Sequence, residues 1–242
     1  MRTLVVMPTY QEADNVVDVL RRIRKALPDA DILVVDDASP DGTADLVEAV
    51  GDELEGVRVL RRPAKSGLGS AYRAGFGVAL DEGYDVVVEI DADGSHDPAD
   101  LPALVSAVHH GADLSIGSRY VPGGRIVGWP KRRHALSRWG NRYAAGLLGL
   151  AINDGTSGYR AYRAAALRGV QSGHGRADGY AFQVEMAYRL VKQGAKVVEI
   201  PVVFVDRERG QSKMSGRIVW EAFALVTGWG LRDLALGRRR RR

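Results

Sequence analysis

The chain has 242 residues, 45% of them hydrophobic and 26% charged, with no cysteine and a net charge of +4. That length suits one large α/β domain with a substantial core, and the lack of cysteine excludes a disulfide framework and thiol catalysis. No apolar run approaches the roughly 20 residues that a membrane-spanning helix needs; the longest, Ala222 to Leu231, is interrupted by Thr227 and two glycines.

Thr3-Leu4-Val5-Val6-Met7 is an apolar run closed by Pro8, so the N-terminus is expected to enter a strand directly, without a signal peptide. From Asn15 to Leu27 the spacing is helical, with Val16, Val19, Leu20 and Ile23 on one face and Arg21, Arg22 and Lys25 opposite. Ile32 to Val35 predicts a second buried strand ending at Asp36 and Asp37, followed by the turn Ser39-Pro40-Asp41-Gly42. A helix at about 43–50, a strand at 57–60 and a helix at about 70–80 come next. Val86-Val87-Val88-Glu89-Ile90 then predicts a strand running into Asp91-Ala92-Asp93. This βαβα rhythm implies a mostly parallel sheet flanked by helices, and ligands of such sheets sit beyond the carboxyl ends of the strands. Pro8 to Glu12, Asp36-Asp37 and Asp91 to Asp93 all fall at that edge.

Alternation along an extended chain sends Asp91 and Asp93 to the same side. Two carboxylates at a strand end form a hard oxygen site suited to Mg²⁺ or Mn²⁺ holding a diphosphate; the plainer reading is a turn opened by Asp93-Gly94. A dinucleotide-binding Rossmann fold requires a glycine-rich turn after the first strand. Pro8-Thr9-Tyr10 stands there instead, and the later Gly67-Leu68-Gly69-Ser70 lacks the third glycine. A metal is therefore the better expected holder of the diphosphate.

These segments, with Gly67 to Ala71, resemble the inverting glycosyltransferases of family 2, which have the GT-A fold. Within that family they resemble the dolichyl- or polyprenyl-phosphate mannose synthases. Gly117-Ser118-Arg119-Tyr120, Trp129 to Arg133, Thr156 to Arg160 and Asp206 to Met214 extend the likeness over about residues 3 to 216. The resemblance implies inverting transfer of mannose from GDP-mannose to a polyprenyl phosphate, with Mg²⁺ or Mn²⁺ as cofactor. It implies Asp91 and Asp93 as metal ligands, and a nucleoside pocket of Pro8, Tyr10, Glu12, Val35 and Asp37 that continues through Ala92. Arg119, Arg133 and Ser137 match acceptor-phosphate positions, and Arg207 and Lys213 would reach the donor diphosphate from a loop with Gly210 and Ser212. Asp93, Arg119 and Arg133 are the residues on which catalysis is expected to depend. Many relatives carry Gln where this chain has Ser95, whose hydroxyl could still meet a metal-bound water.

Arg125, Lys131, Arg132, Arg133, His134 and Arg138 crowd what reads as a glycine- and proline-containing basic loop, and Arg238 to Arg242 form a tail. With only Trp129 and Trp139 as stacking aromatics and no recognisable nucleic-acid motif, an anionic lipid surface is expected and nucleic acid is not. Residues 217–242 are set apart as an amphipathic helix and basic tail following the 1–216 catalytic domain. That helix is expected either to lie in the membrane interface or to pack on the domain. The expected location is the cytoplasmic face of a membrane, peripherally bound and compatible with a membrane-protein partner. Asp154-Gly155 reads as a turn, His96 as a loop residue, and Glu185 as facing the site or pairing with an arginine. Two alternatives stay open: a UDP-glucose-dependent enzyme acting on the same acceptor, and a non-catalytic binding module for nucleotide sugar or anionic membrane.

Overall fold

The computed structural model describes residues 1–171, 179–206 and 216–237. Its strands are β1 (Thr3–Thr9), β2 (Asp31–Asp36), β3 (Val57–Arg61), β4 (Val86–Glu89), β5 (Leu114–Ser118), β6 (Arg125–Val127), β7 (Arg160–Arg163), β8 (Val197–Pro201) and β9 (Val203–Val205). Its helices are α1 (Val16–Ala26), α2 (Thr43–Gly51), α3 (Leu68–Asp81), α4 (Leu101–His109), α5 (Lys131–Leu148), α6 (Ala164–Gln171), α7 (Gly179–Lys192) and α8 (Gly216–Ala235). Seven strands form one sheet in the order β3-β2-β1-β4-β7-β5-β8, parallel except for β7, and β6 pairs with β9 apart from it.

Strand alternation divides the core into two layers. Val5, Met7, Ile32 and Val34 face α1, α2 and α4, whereas Leu4, Val6, Leu33 and Val35 face α3, α5 and α7. Helix α3 lies very close to β1: a Cβ on Gly75 would collide with Val6 Cγ1, so only glycine permits this approach. Because β1 has β2 on one side and β4 on the other, the chain leaves in opposite directions from that point, opening a crevice at the strand ends.

Two expectations need correction, and one that was left open is decided for part of the chain. Strand β4 ends at Glu89, so Asp91 and Asp93 sit on the following turn rather than on an extended strand, and strand alternation does not set their directions. The residues from Lys131 to Arg138 are helical, not a loop. Pro130 stands just before the first turn, where its missing N–H costs nothing; three cations in that turn oppose the helix dipole and disguise the start. The helical part of the C-terminal segment packs on the domain. Val226 is buried, Trp229 stacks on Tyr188 at 5.9 Å, and Asp233 accepts from Tyr188 Oη at 2.8 Å and pairs with Lys192 at 2.5 Å. Gly230 lies against Leu147, where any side chain would clash. Among the described residues no helix is long and apolar enough to cross a membrane.

Candidate active site

The first two strand-end loops are fastened together. Buried Asp36 accepts from Thr9 Oγ1 at 2.9 Å, from Ser39 N at 2.9 Å and from Ser39 Oγ at 2.5 Å. Gln11 N donates to Ser39 Oγ, Glu12 N to Thr43 Oγ1 and Ala13 N to Asp41. Gln11 and Ala38 hold φ of 56° and 59°, a left-handed region that side chains avoid, and such strain collects at binding sites. Asp37 fixes a third loop. It accepts from Arg62 Nη1 at 2.5 Å, Ser66 N at 2.9 Å and Gly67 N at 3.1 Å, while Arg62 also reaches Ser70 Oγ. Lys65 Nζ lies 3.7 Å over the Tyr10 ring. Pro8 is buried at the end of β1 beside Val35 of β2, and the Val35 side chain is turned into the core toward α3 rather than outward at the edge. Glu12 is half-buried and accepts from Asn15 Nδ2 at 3.2 Å, so it also organises the start of α1.

The acidic loop follows β4. Asp91 accepts from Tyr72 Oη at 3.1 Å and Asp93 from Ser95 N at 3.0 Å, with Ala92 buried between them. Beneath them lies a polar core. Arg160 is fully buried on β7, donating to Ser157 O, Gly155 O and Gln183 O at 2.7–2.8 Å, and Tyr162 Oη donates to Glu89 at 3.1 Å. Burial pushes the Glu89 carboxyl up to about 7, against the pull of the Arg160 guanidinium. His96 lies in the loop after β4 and is buried against Tyr159 and Phe204, at ring-centroid distances of 4.8 and 5.2 Å. Burial lowers its imidazole to about 4, against the attraction of Asp93.

The donor set suits a hard divalent cation. Asp91 and Asp93 supply carboxylates, and Ser95 Oγ is buried beside them with no hydrogen-bond partner among the described residues. Among those residues no three acidic or histidine side chains gather around one point. A diphosphate and water would therefore have to complete the shell, as is usual for Mg²⁺.

A basic and apolar region adjoins this loop. Arg119 is buried and grips Asp154, itself fully buried, through Nε at 2.7 Å and Nη2 at 2.6 Å; its backbone N donates to the same carboxylate at 2.9 Å. Asp154 is thus a structural anchor, not merely a turn residue, and Glu199 holds its backbone N from below at 2.9 Å. Arg133 lies 4.0 Å over the Trp129 ring and pairs with Asp206 at 3.0 Å. Ser137 Oγ accepts from Tyr120 Oη at 2.7 Å. Arg119, Arg133 and Ser137 line one end of a groove between α5 and α8 that continues along Leu136, Trp139, Tyr143, Phe223 and Val226. Strand β9 joins this region to the acidic loop: Val205 N donates to Ser95 O at 3.0 Å, Phe204 bridges to His96, and Asp206 follows directly. Arg207 and Lys213 lie outside the described residues.

Buried polar atoms without partners reveal the same place, since proteins leave few such atoms unsatisfied. Among the described residues they are Ser95 Oγ, His96 Nδ1, Trp129 Nε1 and Arg133 Nε, with the Gln183 amide set against the Glu89 carboxylate and only Arg24 Nε and Ser115 Oγ elsewhere. Sequence reasoning missed Asp154, Arg160, Glu89 and Gln183; an arginine in the short β7 strand was the available signal. Glu185 pairs with Arg189 at 2.6 Å.

Loops at the strand ends, an acidic turn and an adjoining basic groove together form one polar site at the carboxyl edge of the sheet. The family model for glycosyl transferase family 2 matches residues 4–170, and the chain belongs to that family. It is 52% identical over 231 residues to an undecaprenyl-phosphate mannosyltransferase of Micrococcus luteus, covering 96% of this chain and 95% of that protein. It is 49% identical to a polyprenol monophosphomannose synthase of Mycolicibacterium smegmatis, covering 96% and 88%. The structure of glucosyl-3-phosphoglycerate synthase from Mycobacterium tuberculosis, solved with Mn²⁺ and UDP-glucose, superposes with a TM-score of 0.71 at 19% identity, covering 94% of this chain and 79% of that one. The likeness establishes the GT-A fold.

Proposed function

We propose that this chain transfers mannose from GDP-mannose to the phosphate of a polyprenyl phosphate, inverting the anomeric centre and releasing GDP. The observation that carries this reading is the α5–α8 groove, which runs from Arg119, Arg133 and Ser137 into an aromatic and aliphatic channel beside the acidic loop. Charge at one end and apolar surface along the rest match a lipid phosphate. The two mannosyltransferase relatives support the same acceptor class.

A phosphate monoester loses its second proton near pH ~6 and is an anion at neutral pH. It needs no general base from the protein, which agrees with His96 and Glu89 being enclosed in the core. The work left to the residues is to orient the acceptor oxyanion opposite the leaving group and to exclude water. Arg133, planar and steadied on Trp129, suits the first task. Arg119 is rigidly set by Asp154 at the same end of the groove. Asp91 and Asp93 would hold Mg²⁺ or Mn²⁺, which supplies charge neutralisation for the departing diphosphate. Arg207 and Lys213 are assigned to that diphosphate as well, and Pro8, Tyr10, Glu12 and Asp37 to the nucleoside.

The membrane reading also gains support. Trp220 is 71% exposed, Leu231 58% and Leu234 54% on the outward side of α8, beside Trp139 and Leu136 of α5, which are 55% and 49% exposed. Arg132, Arg138 and Arg142 are exposed on the same helix as those two. Such a surface fits peripheral contact with an anionic leaflet, tryptophans at headgroup depth. We assign residues 1–216 to catalysis and 217–242 to this contact, on the cytoplasmic side. Purified protein incubated with GDP-mannose or UDP-glucose, Mg²⁺ and polyprenyl phosphate, followed by identification of the lipid product, tests the function. A glucosyl product, or none, refutes it.

A further inference from the structure

We infer that Tyr72 is the positioning residue of the acidic turn, its hydroxyl holding the Asp91 carboxylate where the donor's divalent cation requires it. This inference rests on the metal assignment proposed above and deepens it. Asp91 stands two residues past the end of β4, half-buried, and the pleat of the strand does not set the direction of its side chain. Tyr72 supplies the missing restraint, because its Oη donates to Asp91 Oδ1 at 3.1 Å.

The hydroxyl sits on a rigid mount. Tyr72 is fully buried on α3, its ring stacked on Phe182 at 5.9 Å and 3° and packed against Phe76 at 5.9 Å. Helix α3 is pinned on both sides of it. Two residues earlier, Ser70 Oγ accepts from Arg62, which also grips Asp37. Three residues later, Gly75 lies directly against Val6 of β1. The start of α3 therefore touches both the Asp37 loop and the acidic turn, and it fixes the phenol relative to each.

Packing alone does not call for that hydroxyl. Phenylalanine would fill the same space between Phe76 and Phe182 with no polar atom to bury, and a buried hydroxyl is unfavourable unless it is hydrogen-bonded. Here the cost is offset by a bond to a carboxylate, which is stronger than a bond between neutral groups. A group that orients a metal-binding carboxylate from behind also sets how tightly the metal is held.

Tyr72→Phe deletes the hydroxyl and keeps the ring. Mn²⁺ binding is followed by the electron paramagnetic resonance signal of the free ion, with GDP or with UDP present, alongside the Mg²⁺ dependence of turnover; thermal melting checks that each protein is folded at the assay temperature. The Mn²⁺ dissociation constant should rise by roughly 10-fold, as expected when the group behind a metal ligand is removed. Turnover should fall most at low Mg²⁺ and recover as Mg²⁺ rises, a shift that loss of packing would not produce. Wild-type Mn²⁺ affinity in Tyr72→Phe, or a loss of turnover that added Mg²⁺ does not recover, overturns the proposal. Asp93→Ala separates this result from the parent reading. Mn²⁺ binding that Asp93→Ala removes and Tyr72→Phe leaves intact strikes the positioning role alone. If the wild-type chain and Asp93→Ala bind Mn²⁺ alike, the metal assignment fails and the positioning role falls with it.

Discussion

Replacing Asp154 by alanine tests how the acceptor end of the site is built. The carboxylate is fully buried and receives the backbone N, Nε and Nη2 of Arg119, which is itself only 6% exposed. Its loss leaves a buried guanidinium without its counter-charge, and breaking one side of such a pair costs about 3–5 kcal/mol. For a chain of this size each kcal/mol corresponds to roughly 2–4 °C, so the melting temperature should drop by about 6–20 °C. Asp154→Asn keeps the shape and one acceptor oxygen, and should cost about 1–3 kcal/mol. The informative construction is the double replacement Arg119→Met with Asp154→Leu. Because apolar side chains of similar volume remove the desolvation cost along with the attraction, stability should return to within about 1–2 kcal/mol of wild type. Transfer to lipid phosphate should not return with it. Thermal melting and a product assay on the wild type and these three variants make the comparison. An Asp154→Ala protein that melts within 2 °C of wild type, or a double variant with full transferase activity, would refute the reasoning.

Asp93→Ala should remain folded and lose turnover by roughly 10²-fold or more, and EDTA should abolish wild-type activity until Mg²⁺ or Mn²⁺ is restored; full turnover by the variant in Mg²⁺ counts against the assignment. Arg133→Ala should impair transfer while leaving GDP affinity nearly unchanged, whereas Asp37→Ala should weaken GDP binding by releasing Arg62 and the 66–67 amides; calorimetry with GDP and Mg²⁺ separates them, and equal losses would show the roles are not divided. Trp220→Glu with Leu231→Glu, both on exposed positions, should reduce co-sedimentation with anionic liposomes without shifting the melting temperature. Trp229→Ala, which removes the stack on Tyr188, should lower the melting temperature instead; unchanged liposome binding by the first pair would remove the membrane role of α8.

The sheet and the acidic edge were readable because both are local. Apolar runs such as Val5 to Met7 and Ile32 to Val35 carry their own strand signal, and Asp36, Asp37, Asp91 and Asp93 mark where the runs stop. What escaped depends on partners far away in the chain. Arg119 finds Asp154 35 residues later, and Arg160 finds the carbonyl of Gln183 across 23; no periodicity encodes either meeting. Helix α5 was hidden by its own charge, since Lys131, Arg132 and Arg133 resemble a solvated loop until the packing of Asn141, Ala144 and Leu148 is known. The pattern of α8 showed an apolar face but not its use, and the helix in fact divides its apolar residues between the domain and the exterior.

Strand β9 is only three residues long, yet its last residue, Val205, both supports Ser95 and leads directly into Asp206 and its grip on Arg133. The proposed donor and acceptor seats therefore hang from one short beam. A substitution that shifts Phe204 by a fraction of its own width would tilt both at once. Efforts to breed a new sugar preference into this scaffold should accordingly meet altered lipid preference as a companion effect. Residues 203–206 are the place to look for second-site changes that restore balance between the two.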